Sequence, residues 1–380
     1  MQDRADITSR SGTELAADIR AGRLRAVDVA TAFLDRIARY DGRVRAVFDL
    51  DRTALRQAEA ADRALAAGKP LGPLHGVPMT IKDCARVAGT RSTFGQPLMH
   101  FYRPKHDCEA VARLRRAGAV VLGRTSVPFA CFDWQCRPPL GRECLNPLHP
   151  AHTPGGSSGG AAAALTARFT PLELGSDLAG SIRYPAHCCG VYALRTTVGL
   201  VPDGDVLARG VRVFAAVMAL GPLARTVEDL ELLLAALLPG RDPREVTPPA
   251  AGLLRVAVTR EVAGAPLDGP SAAAVDGFAE RLAAAGHAVT DVAPPFDFEE
   301  GYAVWGLLVG YEFKALLPRP LRSRAVLDPL RWWLINYRLG DGPLTEHVRR
   351  GLLASEAEYR DGLARREALW RAAAELLARY

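Results

Sequence analysis

The chain has 380 residues, 49% hydrophobic and 24% charged, a balance that suits a soluble globular protein with a large core and excludes an intrinsically disordered one. No run reaches about 18 uninterrupted apolar residues, and the start, Met1-Gln2-Asp3-Arg4-Ala5-Asp6, lacks the basic flank and apolar stretch of a secretory signal. The net charge of +6 is spread along the chain and is not clustered as a nucleic-acid footprint requires, so neither nucleic acid nor membrane is an expected partner.

The first segment reads as helices. Leu15, Ile19, Leu24, Val27, Val29, Phe33 and Ile37 recur at helical spacing, with Ser11 or Thr13 as the cap. A second helix is expected from about Asp51 to Ala67, broken by Pro70 and Gly72-Pro73. Val77 to Ile81 is a short apolar strand ending at Lys82-Asp83. Helical spacing resumes at Ala110 and stops at Gly118, and Ala119 to Leu122 reads as a buried strand. This alternation is the pattern of an α/β fold.

Residues 125–153 are irregular and rich in Pro and Cys, and connections of that length often carry function. A helix from Ala161 to Ala167 and a strand over Leu172 to Gly175 follow. Thr226-Val227-Glu228-Asp229 looks like a capping box opening a helix to Leu238. Leu254 to Val258 and His287 to Val289 read as strands around a helix from Ser271 to Gly286. The stretch Tyr302 to Tyr337 is rich in aromatics, read either as helix packing or as a wall over a substrate pocket, and a last helix runs from about Thr345 to the end. With no internal repeat and no clear linker, a single domain over 1–380 is expected, residues 296–350 being a variable capping region.

Seven cysteines, an odd number, with no secretory signal, indicate free thiols and a cytoplasmic protein. Cys131, Cys136 and Cys144 are close in sequence, but without a C-x-x-C pair they read as core or pocket-lining thiols rather than a zinc site.

Two small-residue stretches carry the chemistry. Gly155-Gly156-Ser157-Ser158-Gly159 fits G-x-S-x-G, but the two prolines before it, Pro150 and Pro154, do not suit the central strand that a nucleophile elbow needs. Gly175-Ser176-Asp177-Leu178-Ala179-Gly180-Ser181 is a turn of small residues that brings consecutive N–H groups together, a nest able to hold an oxyanion.

Three blocks resemble the amidase signature family: Gly72-Pro73-Leu74-His75-Gly76-Val77-Pro78 with Ile81-Lys82-Asp83, Thr153-Pro154-Gly155-Gly156-Ser157-Ser158-Gly159-Gly160, and Gly175-Ser176-Asp177 through Gly180-Ser181-Ile182-Arg183-Tyr184-Pro185. Ser157 and Ser181 stand 24 positions apart, the family's spacing. The resemblance covers nearly the whole chain. It implies a mixed central β-sheet covered by helices and an amidase acting on a small-molecule amide without metal or cofactor. Ser181 would be the nucleophile, Ser157 the bridging serine behind a cis peptide, and Lys82 the terminal base. The residue types suit the task. An unaided serine needs an adjacent base, lysine is a base only when neutral, and a hydroxyl can accept from one partner while donating to another. The N–H groups of Leu178, Ala179, Gly180 and Ser181 would form the oxyanion hole, with Ser158, Ser176, Asp177 and Arg183 holding the turn and Lys82.

The chain also departs from the family. Ala179 replaces the usual glycine, Cys188 an aromatic, and residues 129–145 are unusual. The resemblance implies further strands beyond Tyr380; either the chain is a truncated product, or it has lost those strands and a homodimer or a partner chain would cover the exposed edge. The aromatic segment suggests a hydrophobic or aryl acyl group. The alternatives to hydrolysis are an amide-forming acyltransferase and an ammonia-supplying component of the glutamine amidotransferase kind.

Overall fold

Apolar strands that alternate with amphipathic helices bury their side chains only by stacking into layers, and the computed structural model shows the result. It describes residues 4–69, 71–206, 214, 216–238, 240, 252–260, 267–316, 322 and 343–380. Two compact units are present, Met1–Pro243 and Arg244–Tyr380. This differs from the single continuous domain expected over 1–380. A six-stranded sheet lies wholly within the first unit, and the two strands of the second unit pair with each other. Pro239, Pro243, Pro248 and Pro249 mark the boundary in the sequence.

The first unit carries β1 (Val47–Leu50), β2 (Pro78–Lys82), β3 (Val120–Thr125), β4 (Leu172–Asp177), β5 (Tyr192–Ala193) and β6 (Ala219–Ala224). Their order in the sheet is β1-β3-β2-β4-β6-β5. The neighbours β3, β2 and β4 run parallel, while β1, β6 and β5 pair antiparallel at the two sides. The fold is the mixed α/β sheet expected. β6 was not legible, because Gly221-Pro222 reads as a break. Proline is tolerated here because its carbonyl, which accepts from Leu194 N–H at 3.0 Å, is the group the neighbouring chain uses.

Around the sheet lie α1 (Arg4–Ser9), α2 (Gly12–Arg20), α3 (Ala26–Val44), α4 (Ala54–Ala66), α5 (Glu109–Arg116), α6 (Gly159–Thr166), α7 (Arg183–Cys189) and α8 (Val227–Leu237). Leu15 and Ile19 of α2, Val29, Phe33 and Ile37 of α3, Val120 and Leu122 of β3, and Phe169 form one buried cluster. Burial of each such side chain stabilises by roughly 1.5–3 kcal/mol. Ser11 is the cap of α2, in a reciprocal box with Glu14. The expected box at Thr226 is only half formed. The Thr226 hydroxyl accepts from Asp229 N–H, but the Asp229 carboxylate turns to the start of α2, accepting from Gly12 N–H at 2.9 Å and Thr13 N–H at 2.7 Å. A negative side chain there complements the helix dipole.

The second unit holds β7 (Arg255–Val258), α9 (Gly269–Ala284) and β8 (Ala288–Asp291), a parallel β-α-β unit, followed by α10 (Phe298–Leu316), α11 (Pro343–Leu353) and α12 (Glu356–Leu377). The single last helix expected from Thr345 is two helices, because Ser355 starts a new one in a capping box with Glu358. Of the aromatics expected in the capping region, Tyr302, Trp305, Tyr311 and Phe313 lie on α10, where Tyr311 stacks on Tyr359 of α12 at 4.4 Å. Trp332, Trp333 and Tyr337 lie outside the described residues. No helix among the described residues is long and apolar enough to cross a membrane.

Candidate active site

In the parallel pair β2 and β4, Thr80 pairs with Glu173 and Ile81 with Leu174, so Lys82 ends β2 level with Gly175, and Ser176 and Asp177 follow at the end of β4. The carboxyl ends of parallel strands are where open α/β sheets usually place a site. Lys82 is fully buried. Its Nζ lies 2.8 Å from Ser157 Oγ, 2.9 Å from Ser176 Oγ and 3.1 Å from the Ser176 carbonyl oxygen. Ser157 comes from the loop before α6, and the Gly156–Ser157 peptide is cis. Ser158 N–H donates to the Ser181 carbonyl at 3.1 Å, which ties this loop to the turn after β4. Lys82, Ser157, Ser158, Ser176, Asp177 and Ser181 are thus all buried in one place.

The turn that carries Ser181 is organised by Asp177. Its carboxylate accepts from Gly180 N–H at 2.9 Å and Ile182 N–H at 3.1 Å, and it pairs with Arg183 through Nε at 3.0 Å and Nη2 at 2.9 Å. Arg195 Nε stands 3.4 Å away as a second cation. Burial alone would raise the Asp177 carboxyl. The fork of Arg183 and the two amides outweigh it and hold the group below the usual carboxylate range.

Gly180 has φ +96°, a conformation that favours glycine, and the turn needs it there. This arrangement alters one expectation. Of the four amides expected to form the oxyanion hole, the Gly180 N–H donates to the Asp177 carboxylate here. Among the described residues, the N–H groups of Ala179 and Ser181 take no protein acceptor.

Sequence reasoning missed two buried ionisable residues under the site. Arg124, fully buried in β3, donates to the carbonyls of Ile81 at 3.2 Å, Lys82 at 3.0 Å and Ala85, and to the hydroxyls of Ser92 at 2.7 Å and Thr90 at 3.2 Å. It also pairs with Asp83 at 3.3 Å. It therefore fixes the backbone on which Lys82 sits. Glu173 of β4 accepts from the hydroxyls of Thr80 and, at 3.1 Å, Thr125. Burial pushes its carboxyl up to about 8, against the two threonines and the charges of Arg124 and Lys82.

The cysteines are free thiols. Cys136 and Cys144 are buried in the helix-side core cluster, and Cys84 touches Ser176 beside Lys82. Among the described residues no group of three His, Cys, Asp or Glu side chains stands where it could hold a metal.

A family model described as Amidase matches residues 28–379. This chain belongs to the Amidase family. It is 37% identical to an indoleacetamide hydrolase of Bradyrhizobium diazoefficiens over 78% of this chain and 58% of that one. It is 35% identical to the A component of the glutamyl-tRNA(Gln) amidotransferase of Acidothermus cellulolyticus over 89% of this chain and 66% of that one. The amidase-family chain therefore spans a little under two thirds of the length of these relatives. Among solved structures, the native peptide amidase of Stenotrophomonas maltophilia is similar at a TM-score of 0.74 and 30% identity, covering 93% of this chain and 77% of that one.

Proposed function

We propose that this chain hydrolyses a carboxylic amide through an acyl-enzyme on Ser181. The observation that carries the reading is the buried contact of Lys82 Nζ with Ser157 and Ser176. The Ser176 carbonyl can only accept, so one Lys82 N–H points to it. A neutral amine has one more N–H, for Ser176 Oγ, and a lone pair, which then faces the Ser157 hydroxyl. Lys82 so placed takes the Ser157 proton as Ser157 takes that of Ser181.

The Ser181 oxygen bonds to the amide carbon, and the carbonyl oxygen becomes an oxyanion held by the N–H groups of Ala179 and Ser181. Each such donor is worth about 3–4 kcal/mol of barrier. As the C–N bond breaks, the proton on Lys82 returns through Ser157 to the leaving amine. Water then repeats the sequence on the ester and releases the acid.

The indoleacetamide hydrolase relative supports an aryl or other hydrophobic acyl group. The test is a panel of primary aryl and alkyl amides followed by acid and ammonia release. Wild type turns over the aryl members; Ser181→Ala and Lys82→Ala do not.

A second reading follows from the amidotransferase relative: a component that releases ammonia from glutamine for a partner. It predicts glutamine as the preferred amide and activity only when partner proteins are added. Turnover of aryl amides by the chain alone contradicts it.

A further inference from the structure

The unusual segment 129–145 contributes one residue that reaches both catalytic loops. The backbone of Asp133 and Trp134 lies against Gly156, the residue before Ser157. A Cβ on Gly156 would stand 2.3 Å from the Asp133 carbonyl oxygen and 2.8 Å from Trp134 Cα, so the approach needs glycine. From there the Trp134 indole Nε1–H donates to the Ala179 carbonyl at 3.2 Å. That carbonyl and the Gly180 N–H belong to one peptide plane, and the N–H end is held by Asp177 at 2.9 Å. The plane is clamped from both sides. Its orientation sets where the flanking N–H groups of Ala179 and Ser181 point.

Trp134 nevertheless keeps 47% of its surface exposed, more than a ring placed only to fill a core. An indole with its N–H engaged and nearly half of its surface open is a rigid apolar group with a fixed orientation.

We propose that Trp134 is a positioning residue for the oxyanion turn, and that its exposed surface is the contact that favours flat, apolar acyl groups. This rests on the amidase reading of Ser181 and adds the source of its selectivity. The clamp is geometric, so removing the indole N–H loosens the turn without deleting any group that touches the reacting atoms. Trp134→Phe keeps a ring and loses the donor, whereas Trp134→Ala loses both.

The experiment measures the rate at which a small alkyl fluorophosphonate modifies Ser181, together with kcat and KM for an aryl and a short alkyl amide. The phosphonyl oxygen develops negative charge as the carbonyl oxygen does, so the labelling rate reports the turn directly. Trp134→Phe is expected to slow labelling and lower kcat about tenfold for both amides, with KM and melting temperature near those of wild type. Trp134→Ala is expected to show the same loss in labelling and, in addition, a rise in KM confined to the aryl amide. Trp134→Phe labelling within twofold of wild type overturns the positioning role, and equal KM changes for both amides in Trp134→Ala overturn the selectivity role. Failure of wild type itself to label at Ser181 strikes the amidase reading instead, so the two failures are told apart.

Discussion

Asp177 is fully buried, and the ion pair it forms with Arg183 is half in solvent, with the Arg183 side chain 58% exposed. The larger part of its role lies in the amides of Gly180 and Ile182 that it draws inward. Asp177→Asn keeps the shape but gives up a charged acceptor facing two N–H groups and a guanidinium fork. We predict a kcat about 10²-fold lower, the scale of losing an oxyanion donor, with KM little changed, as steady-state kinetics will show. Because the folded carboxyl is depressed, its contribution to stability is present above the unfolded value of about 3.9 and is lost as pH falls through the folded one. Asp177→Asn should therefore cost melting temperature at pH 7 and much less at pH 2–3. Lys82, Ser157 and Ser181 were singled out by the resemblance of their sequence blocks to the amidase signature family, which is also what implied their roles. Arg124 and Glu173 were not. A charged residue inside a short strand reads as its solvent face, and only the fold reveals that both faces of β3 and β4 are covered.

At the scale of elements, β2, β3 and β4 hold a buried set of charges whose balance is testable. Arg124→Met leaves Asp83 as an unpaired buried carboxylate and frees three carbonyls, and is predicted to destabilise by about 3–5 kcal/mol in chemical denaturation. Glu173 behaves in the opposite sense. Its folded carboxyl titrates near 8, above the unfolded value of about 4.3, so between these values the folded state binds the extra proton. Stability then falls as pH rises through that window. Glu173→Gln should melt progressively higher relative to wild type from pH 5 to pH 8, and a constant difference across that range would refute the assignment. The elements that sequence reading found were those with an uninterrupted apolar period. Those it missed or merged have local breaks overridden by neighbours, as at Pro222 of β6, or a cap hidden inside a helical period, as at Ser355 between α11 and α12.

For the whole molecule, the motifs carried the family and the mixed sheet, because the glycine-rich blocks are where backbone approach and turn geometry leave few choices of residue. The two-unit organisation was less legible. No flexible-linker composition separates the units, and the boundary shows only as scattered prolines. The homodimer or partner chain expected from the resemblance is checked by size-exclusion chromatography with light scattering, where a stable monomer at assay concentration rules out the homodimer.

The proposed chemistry rests on Lys82 activating Ser181 through Ser157. The most direct measurement is labelling with a fluorophosphonate probe followed by peptide mass mapping in wild type and in Lys82→Ala. The expected result is a single adduct on Ser181 that disappears in the variant while its fold, read by circular dichroism, persists. An adduct on another residue, or undiminished labelling of Ser181 without Lys82, would contradict it.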